Sequence, residues 1–253
     1  MIIIDYMIIL ILVFVRMTAI LILTPLFNNR NVPGIAKVGF IFFLSYIIMP
    51  IVAVRSSLGV TNFLELGRYM VIEFTNGLSF GFVVSISMSF VYIAGLLVDR
   101  NIGFAMVSVI SPQDESQIPV SANLYFLFLM LLFFISDFHL KLIEAIIKTY
   151  EVLPIGESII NYKLVYFYTD IMTQAFIVGI QIAAPFILTI LVTNIVLGLL
   201  SKAMPGMNVF LVGMPLKVLV GLLTFLIVVQ YYFDVFNLQL LKMINYIYQL
   251  MGI

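Results

Sequence analysis

Long apolar stretches separated by short polar connections dominate the pattern of this chain. They lie near residues 3–23, 35–54, 69–98, 122–147, 171–200 and 207–232. Each stretch reaches or exceeds the about 20 residues that a helix needs to cross the hydrocarbon core of a bilayer. None of them shows the alternation of apolar and polar residues that a strand of a membrane β-barrel has. The other structure that satisfies all backbone hydrogen bonds in lipid is the α-helix. The pattern therefore predicts an all-α integral membrane protein with six long hydrophobic helices, without a separate soluble domain.

Composition supports this class. Of the 253 residues, 64% are hydrophobic and 9% are charged, whereas a soluble domain has about 25% charged residues. The formal net charge of zero gives no support for nucleic-acid binding. The absence of cysteine excludes disulfides and thiolate metal sites. The first apolar stretch follows no basic region and is too long for a typical signal-peptide core, so we expect a retained span.

Charged residues inside the apolar stretches are candidates for specific contacts. They are Asp5, Arg16, Glu73, Lys141, Glu144 and Lys217. Near the end of a span, a charged side chain reaches the interface by snorkelling, which we expect for Asp5, Glu73 and Lys141. Arg16 and Lys217 lie deeper in their stretches, where a charge is costly unless it faces protein or water. We expect both to be buried and to contact neighbouring helices, carbonyl groups or water.

Prolines and glycines mark the predicted breaks and close contacts. The candidate breakers or hinges are Pro25, Pro33, Pro185, Pro205, Gly206 and Pro215. Several of them interrupt the apolar stretch at 194–221, which also contains Lys202. Gly77 and Gly81 are four residues apart, a spacing that permits the close approach of two membrane helices.

The connection at 101–120 contains a short apolar segment followed by a polar turn, SPQDESQIP. Residues 102–110 would span roughly 14 Å as a helix, which is too short to cross a bilayer. The segment is therefore predicted either to be re-entrant and packed in a protein cavity or to form an interfacial amphipathic patch. Gly103 would supply backbone freedom at its start.

The sequence lacks recognisable catalytic chemistry. No GxSxG, HExxH or P-loop pattern is present. The sequence contains one histidine, His139, which lies two positions after Asp137. Side chains at that spacing point in different directions on a helix, so they do not form a pair. We therefore expect a protein that is not an enzyme and that needs no cofactor or metal.

Four stretches in order along the chain resemble the FliR family, the R subunit of the flagellar export gate, which has a T counterpart in virulence type III secretion systems. They are RMTAILILTPLFNNRNVPGIAK at 16–37, NIGFAMVSVISPQDESQIPV at 101–120, FHLKLIEAIIKTYEVLPIG at 138–156 and NIVLGLLSKAMPGMNVFLVGMPLKVLVG at 194–221. The second stretch departs in detail from the usual residues of the family. The order and coverage of the four stretches carry the resemblance.

This resemblance implies a non-enzymatic subunit of an export gate in the bacterial inner membrane, at the flagellar basal body. Residues 1–165 would resemble a P subunit and residues 166–253 a Q subunit, within one integrated domain. The chain would assemble with P- and Q-type subunits, with A- and B-type subunits nearby, into a pore for unfolded proteins. The loop at 101–120 would act as a plug. Its candidate sealing residues are Gly103, Phe104, Met106, Val109 and Ile110.

A stand-alone secondary transporter is the alternative. In that interpretation, helices broken at Pro185 and Pro215 would line a binding site near the bilayer midplane. The transporter hypothesis predicts small-solute binding by the purified chain without obligate partners. An intramembrane enzyme is a more distant hypothesis, and it would require His139 to be essential.

Overall fold

The computed structural model describes residues 2–25, 32–53, 62–104, 119–204, 206 and 208–252. Regular structure in these ranges is α-helical throughout. The helices are α1 (Ile2–Leu23), α2 (Gly34–Ala53), α3 (Phe63–Met88), α4 (Phe90–Ile102), α5 (Val120–Ile135), α6 (Phe138–Val152), α7 (Lys163–Ala203) and α8 (Val209–Met251). The prediction of an all-α protein is confirmed.

The described helices are long and apolar enough to account for the predicted spans. Five segments meet the length and hydropathy expected of a membrane span, with α3 and α4 counted as one segment from Phe63 to Ile102. The pair α5 and α6 would be a sixth span, although it is bent by 73°. Helices α7 and α8, with 41 and 43 residues, extend well beyond the apolar stretches that predicted them.

Two predicted spans are each divided into a pair of helices. Ser89 forms a turn between α3 and α4, and Ser136 with Asp137 separates α5 from α6. Asp137 has a φ of 55°, the left-handed conformation that non-glycine residues rarely adopt. This conformation ends the backbone ladder of α5 and accompanies the bend, so one apolar stretch contains two helices.

The candidate breakers or hinges occupy different positions relative to the helices, and their role as hinges stays a prediction. Helix α7 continues through Pro185 and α8 continues through Pro215, so neither residue ends its helix. A proline removes one backbone hydrogen bond, and the long helical segments on either side sustain the structure despite that loss. Pro25 lies in the turn after α1, and Pro33 immediately precedes α2. Gly206 lies in a turn, whereas the predicted break at Pro205 falls outside the described residues.

The chain divides into two compact units, each assembled from separate segments. The first unit contains residues 1–88, 137–171 and 240–253, and the second contains residues 89–136 and 172–239. This division concerns packing within the chain and does not test the predicted P-like and Q-like parts, which stay a prediction.

In the first unit, α1 packs closely against α3 at two glycines. A Cβ atom added to Gly77 would lie 2.5 Å from the carbonyl oxygen of Arg16. A Cβ atom at Gly81 would lie 2.7 Å from the carbonyl oxygen of Ile20. Both distances are shorter than a van der Waals contact, so side chains at these positions would separate the helices. The predicted close approach at Gly77 and Gly81 is confirmed.

In the second unit, aromatic side chains form much of the core. The Tyr125 ring packs edge-on against Tyr232 at 5.7 Å between centroids, and Phe90 packs against Phe236 at 5.3 Å. The hydroxyl of Tyr232 donates a hydrogen bond of 2.8 Å to the carbonyl oxygen of Ile182. Buried tyrosines require such partners, so this bond fixes the position of α8 against α7 within the unit.

Candidate functional sites

A fully buried ion pair joins α1 to α3 in the first unit. Arg16 Nε lies 2.5 Å from Glu73 Oε2, and Arg16 Nη2 donates to Glu73 Oε1 at 3.0 Å. Both side chains have a relative exposure of 0%. The expectation that Glu73 snorkels to the interface is therefore wrong. The positive charge of Arg16 on the neighbouring helix compensates the Glu73 carboxylate for the loss of water, so this carboxylate does not need to reach the surface.

The same pair binds the backbone that follows α6. Arg16 Nη1 and Nη2 each donate to the carbonyl oxygen of Leu153 at 3.2 Å. Glu73 Oε1 accepts a hydrogen bond of 3.0 Å from the backbone N–H of Gly156. The Arg16 guanidinium also lies 4.2 Å from the centre of the Tyr150 ring, a cation–π contact. The charges are thus surrounded by donors, acceptors and an aromatic face.

Asn76, one turn after Glu73 on α3, extends this set of contacts. Its Nδ2 donates to the carbonyl oxygen of Glu157 at 2.7 Å, and its Oδ1 accepts from the N–H of Ile159 at 3.1 Å. Arg16, Glu73 and Asn76 form what we call the buried polar cluster. Irregular backbone within an apolar protein needs partners for its polar groups. This cluster binds the carbonyl oxygens of Leu153 and Glu157 and the N–H groups of Gly156 and Ile159.

Glycine is required at the centre of that segment. Gly156 has a φ of 92°, which side chains of L residues rarely adopt. A Cβ atom at this position would lie 2.3 Å from Cε1 of the Tyr69 ring. The Leu153-Pro154-Ile155-Gly156 sequence therefore forms a turn that fits against α3 because its last residue lacks a side chain.

A second buried acidic residue, Asp99 near the end of α4, contacts the first turn of α5 in the second unit. The Asp99 carboxylate accepts hydrogen bonds from the backbone N–H of Ser121 at 3.1 Å (Oδ1) and 3.2 Å (Oδ2). The Ser121 hydroxyl also donates to Asp99 Oδ1. Pro119 occupies the N-cap position of α5 and offers no side-chain cap. Asp99 therefore caps α5 from the neighbouring helix.

The described ends of the predicted plug segment, residues 101–104 and 119–120, adjoin Asp99 and Ser121 in the chain. Gly103, with a φ of 100°, ends α4 and donates its N–H to the carbonyl oxygen of Asp99 at 3.0 Å, an arrangement typical of helix C-termini. Phe104 follows in the turn and is half-buried. The remaining candidate sealing residues, Met106, Val109 and Ile110, lie outside the described residues.

Lys217 is half-buried on α8. Within the part of the chain that the structure describes, its ammonium group makes no hydrogen bond or ion pair. Asp5 and Lys141 are exposed, and Lys141 lies over the Phe138 ring at 4.5 Å. Arg16 and Lys217 thus differ, because Arg16 is paired with a described residue of its own unit, whereas no such partner of Lys217 is found among the described residues.

The described residues contain no group of three or more His, Cys, Asp or Glu side chains that could bind a metal ion. His139 lies at the start of α6 and is half-buried. Sequence reasoning missed the partners of Glu73 and Asp99, and it missed Asn76 altogether. One signal was available for the partner of Glu73, namely the opposite charges of Arg16 in the first apolar stretch and Glu73 in the third.

Long apolar helices together with a buried polar cluster define a polytopic all-α membrane protein. Residues 7–243 match the family model described as "Bacterial export proteins, family 1". The match covers nearly the whole chain, so the protein belongs to this family of bacterial export proteins.

Curated relatives agree with the family assignment. The chain is 29% identical over 244 residues to the flagellar biosynthetic protein FliR of Bacillus subtilis, covering 92% of each chain. It is 28% identical to FliR of Escherichia coli, covering 82% of this chain and 78% of the relative. It is also 26% identical to the Yop proteins translocation protein T of Yersinia pestis, covering 80% and 78%. The resemblance to the FliR family is confirmed.

Proposed function

We propose that this chain is a pore-forming subunit of a flagellar type III export gate, through which unfolded flagellar proteins pass. The observation that carries the proposal is the family match over residues 7–243. Relatives from flagellar and virulence systems both match over most of their length. The flagellar relatives from Bacillus subtilis and Escherichia coli have the higher identities of 29% and 28%, which favours the flagellar assignment.

In this proposal the chain functions only with partner subunits. Large apolar side chains on α8 are exposed, among them Leu222 at 61%, Leu226 at 68% and Ile227 at 80%. Apolar surface of this extent needs cover from lipid or from other chains. P- and Q-type subunits would provide that cover, with residues 1–165 as a P-like part and residues 166–253 as a Q-like part. A- and B-type subunits would lie nearby at the basal body in the inner membrane.

The segment at 101–120 is proposed as the plug of the closed channel. Its described ends are Gly103 and Phe104 after α4 and Pro119 before α5. Apolar side chains at Phe104, Met106, Val109 and Ile110 would exclude water and ions from the closed pore. The chain itself would carry no catalytic step, because partner proteins and the proton gradient would drive export.

The transporter alternative loses its main support. It rested on helices broken at Pro185 and Pro215, and both helices continue through those residues. The buried charges also have a structural use that needs no solute, since Arg16 and Glu73 bind each other and the backbone near Gly156.

Affinity purification from the native host tests the proposal. The tagged chain would be extracted in mild detergent and analysed with its companions by native mass spectrometry. We expect a stable complex with P- and Q-type membrane proteins. A monodisperse chain without those companions, purified under conditions that preserve other membrane complexes, would contradict the proposal.

A further inference from the structure

A polar cavity lies between the last turns of α6 and α8 in the first unit. Its volume is about 570 Å³. The residues that line it are Lys148, Glu151 and Val152 of α6 and Asn245, Tyr248 and Gln249 of α8. The lining thus provides a cation, a carboxylate, two amides and a phenol on neighbouring helices. Convergent polar groups around a concave surface fix the orientation of a bound molecule, so this cavity is suited to a ligand with several polar groups.

Lys148 is held at one side of the cavity. Its Nζ lies 2.9 Å from Glu144 Oε1 on α6 and 5.2 Å from the centre of the Tyr248 ring on α8. The side chain keeps a relative exposure of 41%, and an ammonium group has three donors. Lysine is a common binder of phosphate groups. Lys148 therefore favours a ligand with a phosphate group.

Glu151 and the two helix ends favour a cation next to that phosphate. Glu151 follows Lys148 by three residues on α6, a spacing that places two Cβ atoms on one helix face about 5–6 Å apart. Helix α6 ends at Val152 and α8 ends at Met251, and the backbone at a helix C-terminus carries partial negative charge. A ligand in which a short linker joins a phosphate to an ammonium group fits this pair of charges.

The cavity lies at the level where lipid headgroups are expected. Helix α8 ends a candidate membrane span that runs from Leu211 to Met251, and α6 ends the bent pair that would form another span. Tyrosines such as Tyr248 are typical of the membrane–water interface. Val152 in the lining and Leu241, one turn before the lining on α8, are exposed at 39% and 46%. These two apolar side chains offer contacts to an acyl chain.

We propose that this cavity binds the headgroup of a phospholipid that carries both a phosphate and a primary ammonium group, as phosphatidylethanolamine does. Lys148 donates to the phosphate oxygens, and Glu151 accepts from the ammonium group. Free phosphoethanolamine has the same polar groups but lacks the acyl chains that Val152 and Leu241 contact. The bound lipid holds the ends of α6 and α8 at the headgroup level, whatever complex the chain enters.

The experiment measures lipid affinity of the full-length chain, purified in detergent with the subunits that accompany it. Native mass spectrometry follows titrations with phosphatidylethanolamine, phosphatidylcholine and phosphatidylglycerol of identical acyl chains, and with soluble glycerophosphoethanolamine. Lys148→Gln and Glu151→Gln each remove one charge from the cavity, and Lys148→Arg retains the positive charge. Lys141→Gln and Glu157→Gln are matched controls, because both side chains are exposed in the same unit and neither lines the cavity.

We expect phosphatidylethanolamine to bind about tenfold more tightly than the other two lipids and the soluble headgroup, the effect of one charge-assisted hydrogen bond. Phosphatidylcholine has no N–H donor on its ammonium group, and phosphatidylglycerol has no ammonium group. Glu151→Gln should therefore abolish the preference, whereas Lys148→Gln should weaken all three lipids by about tenfold. Lys148→Arg and the two controls should bind as the wild type does.

Four outcomes would overturn the assignment. Equal affinities for the three lipids would show that the ammonium group is not recognised. A preference that survives Glu151→Gln, or affinities that are unchanged in Lys148→Gln, would place lipid binding outside the cavity. Soluble glycerophosphoethanolamine that binds as tightly as the lipid would assign the cavity to a free metabolite. Finally, a photoreactive amino acid in place of Gln249 should crosslink to lipid in membranes, and crosslinks to a protein subunit instead would show that a partner chain fills the cavity.

Discussion

Arg16 Nε on α1 lies 2.5 Å from Glu73 Oε2 on α3, and neither side chain is exposed to solvent. Arg16 also donates a hydrogen bond to the carbonyl oxygen of Leu153, and Glu73 accepts one from the N–H of Gly156. The pair therefore joins three parts of the first unit that are distant in sequence. Loss of one member of such a pair leaves the other as an uncompensated buried charge, which is strongly destabilising.

Removing one member of the pair should destabilise the protein strongly. We expect Glu73→Gln to cost about 3 kcal/mol, because it leaves a buried guanidinium without its counter-charge. The measurement is thermal unfolding of the purified complex in detergent. The double variant Arg16→Met/Glu73→Gln should be less destabilised than the sum of the two single variants, because the two sites are coupled.

The exposed pair of Glu144 and Lys148 provides the control. Its atoms are 2.9 Å apart, and the side chains are 60% and 41% exposed. Surface ion pairs contribute little to stability, so Glu144→Gln should leave the unfolding temperature unchanged. An equal loss of stability in Glu144→Gln and Glu73→Gln would show that burial of the Arg16 pair has no special importance.

Gly156→Ala should also destabilise the first unit. The new methyl group would face the Tyr69 ring, and alanine would have to adopt a φ of 92°. The left-handed conformation alone costs roughly 1–2 kcal/mol for a residue with a Cβ atom. Gly198→Ala is the matched control, because no atom lies within 4 Å of the added Cβ and the residue is inside α7. There we expect unchanged or higher stability, and a loss equal to that of Gly156→Ala would refute the explanation.

The plug assignment predicts a leak. In the assembled complex, replacing Phe104 and Ile110 by alanine should raise ion conductance through the closed gate, because two apolar seals become smaller. Native mass spectrometry first checks that assembly is normal. Conductance at the background level in an intact complex would show that residues 101–120 do not seal the pore.

Lys217 should affect assembly or export. Its half-buried ammonium group has no partner within the described part of the chain, and we expect a carboxylate or carbonyl group of a neighbouring subunit to bind it. Lys217→Leu should therefore reduce the yield of the complex or the secretion of flagellar subunits, whereas Lys217→Arg should largely preserve both. Normal assembly and normal export by Lys217→Leu would remove this assignment.

The helical spans could be predicted from the sequence because bilayer thickness sets the length of each apolar stretch. The internal breaks were harder to see. Ser89 is the last of three serines, Ser85, Ser87 and Ser89, in a stretch that the pattern predicts as one span. Ser136 is followed by Asp137, whose left-handed conformation the sequence analysis did not predict. Pro185 and Pro215 lie inside continuous helices, because the cost of one missing hydrogen bond does not end a long helix.

The buried contacts depend on which helices become neighbours, and this was not visible in the pattern. Glu73 was assigned to the interface by its distance from the end of a stretch, yet its environment is set by Arg16, 57 residues away. Asp99 and Ser121 are 22 residues apart and meet only because α4 packs against α5. By contrast, the spacing of Gly77 and Gly81 on one helix was sufficient to predict close packing there.

Secretion by the native host tests the central claim most directly. The gene for this chain would be deleted, and the flagellar subunits in the medium would be measured with and without a plasmid copy. We expect deletion to abolish secretion and the plasmid copy to restore it, while P- and Q-type subunits remain present in the membrane. Undiminished secretion of flagellar subunits by the deletion strain would contradict the export-gate function.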